Sequence, residues 1–266
     1  MSRAHPYRIV LASRIRSQLQ YRTSFALTLL ASAMATAIEL TEVYVVFHAV
    51  PVIGGLDFPA ALLLFAIAGS GRSLADLITG QLDDMPNLLR QGILEVLLVR
   101  PLPLLAQLLV SDLRLEKLGR TTLALAVLVI APTQVDVDWT PARTALLLIA
   151  PLAAAGIFAA LFITAGAVQF FLIDGAVVTN AFVYGGAYAA MYPTSVYPQP
   201  LRSLLTFVVP AAFAGYLPTL AILDRPGPAG LPGWLGWCTA PAAALALAAA
   251  LLAWRFGVRH YRSAGG

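Results

Sequence analysis

The chain has 266 residues, 59% of them hydrophobic and 11% charged, with a mean hydropathy of +0.81 and a formal net charge of +4. Soluble domains carry about 25% charged residues, so this chain has too little polar sequence to cover a soluble core. The composition also excludes disorder and collagen, and a single cysteine, Cys238, excludes an intrachain disulfide scaffold. What remains is a polytopic membrane protein.

Residues 1–24 carry Arg3, Arg8, Arg14, Arg16 and Arg22 and lack the short apolar core and small-residue cleavage site of a signal peptide. Tyr7, Leu11, Ile15 and Leu19 recur every four residues, with Arg8, Arg16 and Gln20 on other faces. That pattern predicts an amphipathic helix lying on the membrane surface, in preference to a solvated basic tail. A bilayer core is crossed by about 20 mostly apolar helical residues. Such stretches occur at 25–47, 58–78, 119–137, 144–168, 176–192 and 239–257. The expected fold is therefore all-α, one transmembrane domain over 1–266 with six transmembrane helices.

A seventh apolar stretch, 200–223, is cut by Pro200, Pro210, Gly215 and Pro218. Proline alone does not forbid a span, so the basic residues decide. With six spans, those of 1–24, those of 72–120 (Arg72, Arg90, Arg100, Arg114, Lys117, Arg120) and Arg255, Arg259 and Arg262 share one side, leaving Arg143, Arg202 and Arg225 on the other. The positive-inside rule then places both termini in the cytoplasm. It makes 193–238 an external re-entrant segment and loop, with Trp234 and Trp237 at the headgroup belt.

The connection at 80–118 is too long for a simple turn between helices. Met85, Leu89, Ile93, Val96 and Leu97 follow helical spacing, and Asn87, Gln91 and Glu95 recur on another face until Pro101 and Pro103 stop the helix. The expectation is one short amphipathic cytoplasmic helix ending at Arg100-Pro101, resting on lipid or docked in a partner's groove.

The run ILEVLLVRPLPLLAQ, residues 93–107, resembles the membrane subunits of type-2 ABC exporters. It is most similar to a drug-export-like subgroup with a Gly, a Leu-Asp/Glu and a Leu-Leu-x-Arg-Pro signature, here Gly92, Leu94-Glu95, Leu97-Leu98 and Arg100-Pro101. The run MYPTSVYPQPLRSLLTFVVPAAFAGYLPTLAIL, residues 191–223, is similar to the family's pattern after the fifth span. Glu95 stands where Asp is common, and Arg72 and Asp76 belong to no signature of the family.

The resemblance implies a non-catalytic permease in a bacterial plasma membrane, exporting a small amphiphilic or xenobiotic substrate. It implies two nucleotide-binding ATPase subunits as partners, which bind ATP and Mg while this chain binds no cofactor, and a second permease chain, a sister more than an identical copy. Consistent with this, the sequence has no G-x-x-x-x-G-K-[ST] phosphate loop. Nucleic acid is not an expected partner. The helix at 85–100 becomes the coupling helix, with Asn87, Arg90, Gln91, Glu95, Arg100 and Pro101 as its contact face to the ATPase.

Ionisable groups at membrane depth usually face an interior or a water-filled path. Glu39 and Glu42 share a face of the first span. Glu39 is balanced between lining a cation-favouring pathway and pairing with other helices, and for Glu42 pairing or an interfacial position is preferred. Tyr184 and Tyr188, with Tyr192, fall every four residues on the fifth span and offer an aromatic face to a cation, although packing is the plainer reading. Arg72 and Asp76, four apart, are expected to pair with each other.

Two other function classes compete. An intramembrane enzyme would use Ser70 or Ser73 of GSGRS, but His5, His48 and His260 are placed far from them, and small residues in a span more often mean tight packing. No His/Cys/Asp group has metal-ligand spacing. An ATP-independent secondary transporter would show paired broken helices, and only 200–223 is broken.

Overall fold

The computed structural model describes residues 16, 20–111, 115–172, 176–227 and 231–261, and every regular element among them is helical. The expected surface helix over 1–24 lies, except for its last residues, outside the described residues. Helix α1 spans Arg22–Ala49 and α2 spans Phe58–Thr79, opened by Pro59 in its first turn, where the missing N–H costs nothing. A 3-10 turn, Gly80–Asp84, leads into two short helices, α3 at Met85–Arg90 and α4 at Ile93–Leu98, and then α5 at Leu104–Ser111. Helix α6 is Leu118–Ile130 and α7 is Pro141–Val168, whose N-cap Thr140 accepts from the Arg143 N–H at 3.3 Å. Then come α8 at Ala176–Ala190, α9 at Gln199–Ser203, α10 at Tyr216–Leu223 and α11 at Thr239–His260.

Helix thus occupies each of the six predicted stretches. Among the described residues four helices are long and apolar enough to cross a membrane: α1, α2 with its extension to Arg90, α7, and α11 with the turn before it. Helices α6 and α8, with 13 and 15 residues, reach only about 20 and 23 Å, short of a hydrocarbon core of about 30 Å.

Helix α2 is the centre of the bundle and is buried nearly all round from Ala60 to Ser73. Helix α7 packs on it and carries α11 on its other side, while α6 packs on α1 and α2. The small residues of α2 permit close approach: a Cβ added to Gly71 would lie 2.3 Å from the Cβ of Ala154 in α7. The Ser70 hydroxyl bonds to the Ala66 carbonyl and that of Ser73 to the Ser70 carbonyl at 3.0 Å. Both hydroxyls are consumed by their own helix.

The bundle has two distinct ends. At one, Ser195 Oγ donates to the Gly54 carbonyl at 2.7 Å, Arg225 pairs with Asp57 at 2.8 Å, and Arg143 pairs with Asp224 at 3.0 Å. The segment from Ser195 to Arg225 therefore enters and leaves the bundle at this same end. Between them it dips inward, since Gly215 lies against Ala68 of α2, ten residues or about 15 Å below the start of that helix. At the other end, Gly166 of α7 meets Trp254 of α11, Leu82 and Met85. The C-terminal ends of α2, α7 and α11 converge there with the 80–111 connection.

Candidate functional site

The connection at the second end is not the single helix its periodicity predicts. Gln91-Gly92 interrupts it, and Gly92 sits at φ +68°, a left-handed conformation that side-chain-bearing residues adopt only with strain. The result is an elbow of two short helices. The break also rotates the apolar face. Met85, Leu94 and Leu97 are buried as anchors, whereas Ile93 and Val96, expected on the buried stripe, are exposed. Ile93, Val96, Leu98 and Val99, the last 87% exposed, form an apolar tip among Arg90, Gln91, Glu95, Arg100 and Pro101, all of them exposed. Asn87 is exposed too, but its amide is engaged with Asp84 Oδ1 at 2.6 Å and shapes the first turn.

Two buried glutamines hold the elbow, and sequence reasoning passed over both. Gln107 Nε2 of α5 donates to the carbonyls of Leu97 at 3.0 Å and Leu102 at 2.8 Å, closing the chain back on the end of α4. Gln81 Nε2 donates to Leu109 at 2.9 Å and Ile78 at 2.7 Å, tying α5 to the end of α2. Their signal was an amide followed directly by a leucine, a polar side chain that must be satisfied when buried. The elbow also lies near the end of the last span. Tyr261, just past α11, has its phenol pushed above the usual value by burial and by the nearby Glu95 carboxylate.

Above the elbow lies a buried charge network. Glu39 of α1 accepts from Arg72 of α2, with 2.7 Å to each carboxylate oxygen, and from Arg120 of α6 at 3.1 Å. Asp76 pairs with Lys117 at 3.2 Å. The expected Arg72–Asp76 pair is therefore replaced by two bridges to other helices. Arg72 lies at depth where its guanidinium reaches α1, while Asp76, one turn lower, meets the cation at the start of α6. Ser32 Oγ donates to the Glu116 carbonyl at 2.6 Å, and Thr121 Oγ1 to the Ser73 carbonyl at 3.4 Å, so the exit from the connection is stapled to α1 and α2.

The four pathway candidates gather on the face between α1 and α8. Glu39, Glu42 and Tyr188 line one recess with Phe65 and Tyr192. Its volume is about 10 Å³, room for about one water and no substrate. The Arg72 guanidinium lies 5.8 Å from the Tyr188 ring centroid, so the cation on that aromatic face is the protein's own. Tyr184, one turn lower, donates its hydroxyl to Asp83. Glu39 is consumed by its two arginines; Glu42 is exposed. Among the described residues no three His, Cys, Asp or Glu side chains gather to hold a metal.

A family model described as an ABC-2 family transporter protein matches residues 33–265. No match is found among curated proteins or solved structures.

Proposed function

The chain belongs to the ABC-2 family of transporter membrane proteins, and from that premise we propose that it is the transmembrane permease of an ATP-driven exporter for a small amphiphilic substrate. The observation that carries this reading is the elbow. It exposes apolar side chains at an otherwise polar turn, and such a patch wants a partner. Short helices that present Ile93, Val96 and Val99 among charges suit a groove on a soluble subunit.

In this proposal α1, α2, α6, α7, α8 and α11 make six crossings, with the elbow, the start of α1 and the end of α11 on the cytoplasmic side. Residues 195–225 form an external re-entrant segment. Two nucleotide-binding subunits, each holding ATP and Mg, close on hydrolysable nucleotide and push the elbows of two permease chains. Gln81 and Gln107 pass the push to α2 and α5. The Glu39 and Asp76 bridges make α1, α2 and α6 move together. The substrate pathway runs along the α1–α8 face, where Glu42, beside Tyr188, favours a cationic amphiphile. The second permease chain, a sister in our reading, completes that face.

The test is co-purification. The chain should bring down an ATPase subunit in stoichiometric amount. Val99→Asp and Arg90→Glu should weaken that association about tenfold each, the scale of losing a well-packed interface contact, without changing the permease's detergent-solubilised elution. Retention of the ATPase by both variants would overturn the coupling assignment. An enzyme or an ATP-independent transporter would bring down no ATPase at all.

A further inference from the structure

Helices α5 and α11 enclose a side-opening groove that the coupling reading does not use. Its walls are Leu105 and Leu109 of α5 and Leu251 and Val258 of α11, and Arg255 and Arg259 line it as well. Its volume is about 450 Å³, within the range of about 300–1,000 Å³ that small-ligand sites occupy.

The two arginines are one helical turn apart on the same face, where like charges repel. Arg72, Lys117 and Arg120, at the same end of the bundle, each meet a carboxylate. Among the described residues no carboxylate pairs with Arg255 or Arg259, and no acidic side chain lines the groove. Among the described residues the pair is thus an uncompensated double cation at the mouth of an apolar groove. A guanidinium is the side chain best matched to a phosphate, because its planar fork donates in parallel to two oxygens.

The order of groups along α11 identifies the ligand. The helix runs 22 residues, about 33 Å, from Thr239 to His260. Arg255 and Arg259 lie at its last turns, at the boundary, and Leu251 lies one turn deeper. Charge at the boundary and apolar wall inward is the profile of a phospholipid, headgroup first.

We infer that this groove seats an anionic phospholipid of the cytoplasmic leaflet, with its phosphate on Arg255 and Arg259 and an acyl chain along Leu105, Leu109 and Leu251. The inference rests on the proposed orientation, in which the end of α11 is cytoplasmic. Its consequence follows from α5. That helix is locked to the end of α4 through Gln107, so a lipid wedged between α5 and α11 braces the coupling elbow against the last span.

The experiment uses the full chain with its co-purifying subunits, placed in nanodiscs of phosphatidylcholine alone or of phosphatidylcholine with phosphatidylglycerol, then released for native mass spectrometry. Phosphatidylglycerol should remain bound and phosphatidylcholine should not. Each arginine near a lipid surface contributes about fivefold to anionic-lipid affinity, so Arg255→Gln with Arg259→Gln should lower retention at least tenfold. Lysine at both positions should keep most of it. Ala106→Trp, which fills the groove and leaves both charges, should lose it. Equal retention of the two lipids, or phosphatidylglycerol bound as in the parent chain by the double glutamine variant or by Ala106→Trp, would overturn the site. The exporter reading fails separately, by absence of the ATPase from a preparation that still retains lipid. A cysteine at position 259 labelled from outside the cell would overturn the leaflet.

Discussion

Glu39 shows how a single residue changes meaning once its neighbours are known. An ionised side chain at membrane depth costs about 2.5–3.5 kcal/mol on insertion scales, which made it a pathway candidate. With Arg72 and Arg120 both bonded to it, it is a structural hub of three helices. Removing one partner of a buried pair strands the others, at about 3–5 kcal/mol. Glu39→Gln should therefore lower the thermal unfolding midpoint of the solubilised complex clearly, and Glu39→Gln combined with Arg72→Met should recover much of the loss. An unchanged midpoint in the single variant would show that the triad carries no stability. The same neighbours raise the standing of Glu42, which has no ion pair among the described residues and stays exposed beside the tyrosines.

At the scale of an element, two glycines separate two uses of the same residue. Gly71 is needed for space, because α7 occupies the volume of any side chain there. Gly92 is needed for backbone conformation, because an added Cβ would meet only Glu95 Oε2, at 3.8 Å. Gly92→Val should cost about 1–2 kcal/mol of local backbone strain, straightening the elbow and reducing substrate-stimulated ATP hydrolysis. Gly92→Asn, which tolerates the left-handed region, should be milder. If valine and asparagine behaved alike, the bend would not matter to coupling. The helical periodicity of 85–98 was legible; the break was not, since a lone glycine inside an apolar period is compatible with a continuous helix.

For the whole molecule, the charges and the contacts agree on two ends. Arg143, Arg202 and Arg225, the three basic residues assigned to the outside by count, all lie with the Ser195–Gly54 and Arg225–Asp57 contacts. Arg90, Arg100, Lys117, Arg255 and Arg259 lie toward the elbow end. In a Cys238→Ala background, a single cysteine at position 225 should react with an impermeant maleimide added outside cells, and one at position 259 only after permeabilisation. The exchanged pattern, with 259 open to the outside and 225 labelled only after permeabilisation, would require 200–223 to cross, giving an odd number of spans.

By itself the sequence determined the membrane class, the positions of the helices and the sorting of basic residues, because hydropathy and charge are properties of each residue summed over a window. The resemblance carried by 93–107 and 191–223 named the family that the profile match supports. Only the tertiary structure decided which charges meet. Arg72 lies 33 residues from Glu39 in sequence and Lys117 lies further still from Asp76, and no local period records a bridge between helices. It also decided that 195–225 returns to its own end and that α5 and α11 leave a charged-lipped groove between them. Each of these depends on which helix faces are brought together, a choice made by packing around the buried α2 and invisible to any one stretch of chain.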